Sequence, residues 1–113
     1  MIHTGYRLQV RTKDGLLIVE LSGEIDHHSA VGLREKLDAL LLRERPRRFI
    51  LDLCHVDFMD SAGLGLLMGR LRLVKELGGS MLLARPNARV LKILRLAGME
   101  RFMEIDGAKG ELK

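Results

Sequence analysis

Residues 49–79 read FILDLCHVDFMDSAGLGLLMGRLRLVKELGG. Phe49–Leu53 has the length and apolar content of a buried strand, and residues 54–60 form a link into Asp60-Ser61. A helix of about four turns follows. Leu64, Leu67, Met68, Leu71 and Val74 recur at the spacing of one helical face, and Gly78-Gly79 stops the pattern. Asp60 or Ser61 supplies a side-chain oxygen for the open N–H groups of the first turn. A second apolar stripe, Ala62, Leu66, Gly69, Leu73 and Leu77, lies roughly opposite the first. Arg70 on one side, and Arg72 and Glu76 on the other, separate the stripes. One stripe should face a sheet. The other meets either a neighbouring helix or a partner protein.

Upstream, Tyr6, Leu8 and Val10 alternate with Arg7, Gln9 and Arg11, the pattern of a half-buried strand. Asp14-Gly15 marks a turn, and Leu16–Leu21 returns as the second strand of an antiparallel hairpin. Gly23 breaks the strand pattern. The polar stretch GEIDHHSA (residues 23–30) then leads into a helix capped by Asp26 or Ser29. Ala30, Leu33, Leu37, Leu40 and Leu41 form its buried face, and Arg45-Pro46 ends it. Downstream, Ser80–Ala84 reads as a buried strand. Pro86-Asn87 opens a shorter helix with Val90, Ile93, Leu94 and Ala97 on one face, and Gly98 stops it. Phe102–Ile105 is a short final strand or helical turn, and residues 107–113 form a polar, frayed tail.

The order β-β-α-β-α-β-α with a short last element predicts an α/β fold. Its mixed sheet has an N-terminal antiparallel hairpin, parallel β-α-β units and right-handed crossovers. A chain of 113 residues is expected to form a single domain and to bury roughly two-thirds of its unfolded surface. No apolar run approaches the ~20 residues of a membrane span, and the first residues lack a signal-peptide pattern, which predicts a cytoplasmic protein. Cys54 is the only cysteine, so no internal disulfide forms. The net charge is +4. The basic residues are interleaved with acids, and only Arg43–Arg48 is dense, at a helix end where cations are favoured. With one Tyr, no Trp and no binding motif, nucleic acid is not the expected partner. An acidic protein surface fits the charge better.

Three enzyme classes fail on the residues. Gly63-Leu64-Gly65 is followed by Gly69, one residue late for a dinucleotide fingerprint, and the distal acid that would hold a ribose is missing. No phosphate-binding loop of the Walker type occurs. Ser61 lacks the glycine flanks of an elbow nucleophile, and His55 leaves the preceding strand. His27 and His28, adjacent at a helix start, point about 100° apart, a poor geometry for one metal. No metal or bound cofactor is predicted. Asp60-Ser61 carries two readings: a helix cap with its neighbour, or a phosphorylation site. A phosphate there adds roughly −1.5 to −2 charges, which the helix N-terminus tolerates and a docked partner does not.

GEIDHHSA at 23–30, FILDLCHVDFMDSAGLG at 49–65 and the Gly-Gly-x-Met at 78–81 resemble the anti-sigma factor antagonists of the STAS family. The D-S-x-G-L-G motif is specific to such domains. The paired histidines point to the sporulation branch, the antagonists of the anti-sigma-F factor. The resemblance covers nearly the whole chain and implies helices packed mainly on one side of the sheet. It implies a regulatory protein and not an enzyme. The partner it implies is an anti-sigma factor serine kinase, which would bring its own ATP and Mg²⁺ and otherwise sequester a sigma factor. Phosphorylation of the motif serine, here Ser61, inactivates the antagonist, and a serine phosphatase reverses it. Ala62 stands where some members carry a second Ser. The implied kinase-binding surface is Gly23, Glu24, Asp26, His27, His28 and Ser29 together with Asp60, Ala62, Gly63 and Leu64. It should include exposed apolar and some basic residues. The rival readings are an adaptor in a general-stress type of partner switching and a small nucleotide-binding or hydrolytic domain acting through Ser61.

Overall fold

Alternation and periodicity resolve into five strands and three helices in a computed structural model, which describes residues 5–106. The strands are β1 (Tyr6–Lys13), β2 (Leu16–Ile25), β3 (Arg48–Met59), β4 (Ser80–Ala84) and β5 (Glu104–Asp106). The helices are α1 (His27–Glu44), α2 (Ser61–Glu76) and α3 (Ala88–Leu96). A 3₁₀ turn, Met99–Arg101, precedes β5, so the last segment is a helical turn and a strand in succession. The expected frayed tail, 107–113, lies outside the described residues.

Spatial order in the sheet follows chain order, β1-β2-β3-β4-β5. β1 and β2 are antiparallel, and every later pair is parallel. Parallel neighbours taken in sequence, with the right-handed crossovers general to β-α-β units, should carry all three helices on one face. Side-chain burial agrees. Leu17, Val19 and Leu21 of β2, Phe49, Leu51 and Leu53 of β3, and Met81 and Leu83 of β4 are buried in one core with the helices. Their strand neighbours Ile18, Ile50 and Leu82 point the other way and are only half-buried.

Two strands run further than the sequence pattern suggests. Gly23 does not end β2. It sits inside the strand at φ +101°, and a Cβ there would lie 2.1 Å from the Gly5 carbonyl oxygen. The glycine marks a bulge where the start of β1 passes over the strand. β3 does not end at Leu53 either: residues 54–59 continue it against the extended β2. Ser22 pairs with His55, Gly23 with Val56, Glu24 with Phe58 and Ile25 with Met59. Two register shifts, between Glu20 and Ser22 and between Gly23 and Glu24, hide the alternation.

The helix stripes also sort themselves. Leu67, Leu71 and Val74 of the first stripe on α2 are buried. The second stripe turns towards α1, where Leu66 is buried and Ala62 and Gly69 border a groove. Arg70 does not separate the stripes at the surface. It is 7% exposed, with its Nε 2.8 Å from Asp38 Oδ1 of α1. On α1 the buried side chains are Ser29, Leu33, Leu37 and Leu41, while Leu40 is half-buried. On α3 they are Val90, Leu91 and Leu94, with Ile93 half-buried and Ala97 exposed.

Candidate functional site at the paired helix starts

Extending β2 and β3 side by side delivers the starts of α1 and α2 to the same end of the sheet. Asp26 follows β2 and caps α1. Its Oδ1 accepts from the His28 N–H at 2.9 Å and the Ser29 N–H at 3.1 Å. Ser29 Oγ accepts from the Asp26 N–H at 3.0 Å, closing a reciprocal capping box. Asp26 and Ser29 therefore share the cap. The Ser29 N–H bond, assisted by His28 and opposed by partial burial, holds the Asp26 carboxyl below its ordinary pKa.

Asp60 caps α2 in the same manner. Its Oδ1 accepts from the Ala62 N–H at 2.8 Å and the Gly63 N–H at 3.2 Å. Its Oδ2 reaches across to α1 and accepts from the His27 N–H at 3.3 Å. The His27 Nδ1 is 3.9 Å from the same oxygen. One carboxylate thus joins both helix starts. The Asp60 N–H donates to the Ile25 carbonyl at 3.2 Å, which fixes the junction to the end of β2.

Ser61 is the first residue of α2 and is exposed. None of the capping hydrogen bonds uses its hydroxyl. Ala62 and Leu64 are half-buried, and Gly63 is buried where the helix meets the sheet. A Cβ on Gly63 would lie 2.4 Å from Met59 Cγ and 2.8 Å from the Ile25 carbonyl oxygen. The glycine in the motif permits close approach of helix and sheet.

The expected site residues therefore divide by position. His27, His28, Glu24 and Ser61 are exposed, and Gly23, Asp26, Asp60, Ala62 and Leu64 are half-buried. Ser29 and Gly63 are buried and shape the surface from beneath. The His27 and His28 rings touch, with centroids 4.0 Å apart and planes tilted by 38°. Both lie in the first turn of α1, not in a preceding loop.

Arg34 and Asp38 join Arg70, which the sequence pattern places at the surface, along the α1–α2 seam. The seam is a groove of about 270 Å³ whose walls include Arg34, Ala62, Gly65 and Gly69. The small residues at Gly65 and Gly69, one turn apart, were the available signal. A larger cavity of about 500 Å³ opens on the helix-free face of the sheet and is lined by Arg7, Glu20, Cys54, His55 and Asp57. His55 belongs to that cavity, and Ser61 does not line it. Among the described residues, no helix is long and apolar enough to cross a membrane.

A five-strand mixed sheet, three helices and a serine beside a capping aspartate at the second helix start define a class of small α/β domain. The chain belongs to the STAS domain family, which it matches over residues 7–111. It is 35% identical over 99 residues to the anti-sigma F factor antagonist of Paenibacillus polymyxa, covering 88% of this chain and 85% of that one. It is 35% identical over 104 residues to the anti-sigma-B factor antagonist of Bacillus subtilis, covering 92% and 93%. Among solved structures, the Bacillus cell fate determinant SpoIIAA in its phosphorylated form superposes with a TM-score of 0.67 at 26% identity. That match covers 88% of this chain and 90% of that one.

Proposed function

We propose that this protein is an anti-sigma factor antagonist of the sporulation type, switched by phosphorylation of Ser61. The unphosphorylated form binds an anti-sigma factor kinase in the cytoplasm and so releases the sigma factor. The observation that carries this reading is the exposed Ser61 hydroxyl, left out of the cap that Asp60 makes for it. The names of the relatives and the phosphorylated state of the SpoIIAA structure support it.

The geometry supports a way in which a phosphate would act there. Asp60 already accepts from the first-turn N–H groups of Ala62 and Gly63. The helix start is therefore not an open anion site, and a phosphate on Ser61 gains little from it. The dianion instead stands beside the Asp60 carboxylate and faces outward. A partner covering Asp26, His27, His28 and the start of α2 would have to desolvate it next to that carboxylate. In this reading the chain is a substrate and a competitor, and catalysis resides in the kinase and the serine phosphatase.

The deciding experiment is intact mass after incubation with ATP-Mg²⁺ and the anti-sigma factor kinase of the same cell, wild type beside Ser61→Ala. One added phosphate on wild type and none on the variant is expected. An unmodified wild type, with a kinase active on another antagonist, would remove the reading. Capture of the kinase with its sigma factor names the pathway.

A further inference from the structure

The α1–α2 groove begins at Ala62, next to Ser61, and runs along α2 past Gly65 and Gly69 to Arg70. Its floor is open: a Cβ on Gly65 or on Gly69 would meet nothing within 4 Å. Val31 of α1, 56% exposed, forms an apolar lip. Arg34 lies on the same wall, is exposed, and forms no ion pair among the described residues.

Arg70 closes the groove and is short of acceptors. Its side chain is 8% exposed, and its Nη1 is buried with no hydrogen-bond partner among the described residues. Its Nε is close to Asp38 Oδ1, yet the N–H is not aligned to make a hydrogen bond. Burial lowers the Arg70 pKa, Asp38 opposes that, and the like charge of Arg34 adds to it. Arg34 thus adds a second positive charge beside Arg70, whose ion pair is with Asp38 alone among the described residues. Buried guanidinium N–H groups without acceptors are rare, and here they leave the floor of the groove with positive charge that a carboxylate held nearby by Arg34 would offset.

We infer that this groove seats an acidic side chain, flanked by apolar ones, on the protein partner that Ser61 controls. The inference rests on the proposed function and adds the chemistry by which the partner is held. A carboxylate entering over Gly65 finds the exposed Arg34 guanidinium and brings the negative charge that the seam lacks. Val31 and the side wall at Ala62 accept its apolar neighbours. A phosphate on Ser61 then stands at the mouth of the groove and repels the same carboxylate, so docking and switch share one electrostatic path.

Binding of the purified wild type, Arg34→Glu, Arg34→Lys and Gly65→Leu to the anti-sigma factor kinase of the same cell tests this by calorimetry at low and high salt. Arg34→Glu should weaken binding by about tenfold or more, and Arg34→Lys by no more than about threefold. Gly65→Leu, which fills the floor, should also lose about tenfold. Wild-type affinity should fall with salt, and that of Arg34→Glu much less. Wild-type affinity in both Arg34→Glu and Gly65→Leu, with the wild type binding normally, would overturn the groove and leave the proposed function standing. A folded wild type that fails to bind a kinase active on another antagonist would overturn both. A wild-type dimer dissociated by Arg34→Glu, with kinase binding unchanged, would assign the groove to a second copy and overturn the inference. If Gly65→Leu does not fold, the two Arg34 variants decide alone.

Discussion

Asp60 Oδ2 accepts a hydrogen bond from the backbone N–H of His27 at 3.3 Å, across 33 residues of sequence. The other oxygen of the same carboxylate caps α2. Removing the side chain therefore loosens two helix starts at once. Asp60→Ala should lower stability by about 1–2 kcal/mol, the upper range for an N-cap. Asp60→Asn keeps an oxygen for the α2 cap and should lose about half as much. Chemical denaturation of the three proteins measures this. Equal losses would show that the charge, and not the cap, sets the effect.

The cap of α1 makes a prediction in pH. The folded-state pKa of Asp26 is depressed, chiefly by the Ser29 N–H, below the ordinary value of 3.8. A depressed carboxylate contributes stability that is fully present above the unfolded pKa. That contribution is lost as pH falls from 3.8 through the lower folded value. Asp26→Asn should flatten this part of the acid limb and leave the pH dependence near neutrality unchanged. Unfolding free energies of both proteins at acid and neutral pH provide the check. A variant with an unchanged acid limb would contradict the assigned cap.

Glycine positions on α2 separate close approach from open groove. In Gly63→Ala the new methyl meets Met59 and the Ile25 carbonyl, and overpacking of this kind costs about 1–3 kcal/mol. The gain in helix propensity, about 1 kcal/mol, does not offset a clash with backbone. In Gly65→Ala the methyl meets nothing, so the propensity gain should appear as increased stability of up to about 1 kcal/mol. Thermal melts of the two variants should move in opposite directions. Movement in the same direction would refute the packing described for Gly63.

Another glycine, Gly23, and Arg70 show what the sequence could and could not reveal. Element order, the parallel units and the Ser61 helix follow from apolar periodicity, because most of those elements bury one face and leave another wet. The extent of β2 and β3 did not follow. Gly23 resembles a strand end when its partner, the passing backbone at Gly5, is unknown. Cys54, His55 and Asp57 resemble a polar link because two register shifts break the alternation. Arg70 was misplaced for a different reason. A charged residue between two apolar stripes reads as surface unless its counter-charge is known. Asp38 lies on another helix, 32 positions away. In each case the missing information is a contact between segments distant in sequence.

The Arg70–Asp38 pair itself is testable by comparing a single and a double variant. Asp38→Ala leaves the buried Arg70 guanidinium without its partly exposed carboxylate and should destabilise by about 1–3 kcal/mol. Replacing both partners with Leu removes the desolvation cost together with the attraction. The double variant should lie within about 1–2 kcal/mol of wild type. A double variant as unstable as Asp38→Ala would show that packing volume, and not charge, controls the seam.

Phosphorylation should leave the fold almost untouched. The donors that could reward a phosphate at the α2 start, the Ala62 and Gly63 N–H groups, are already bound to Asp60. The added charge sits on an exposed residue, where dipole attraction and repulsion by Asp60 are both small and opposed. The phosphorylated protein should therefore unfold within about 1 kcal/mol of the unmodified one while losing its partner. Ser61→Ala should bind and resist inactivation. Ser61→Asp should bind less tightly than wild type and more tightly than the phosphoprotein, because one carboxylate carries less charge than phosphate. Parallel melts and binding titrations of the four species separate the possibilities. A large stability change on phosphorylation would mean that the switch remodels the helix start instead of blocking a surface. A Ser61→Asp variant that binds like wild type would show that a single charge at this position is not what the partner rejects.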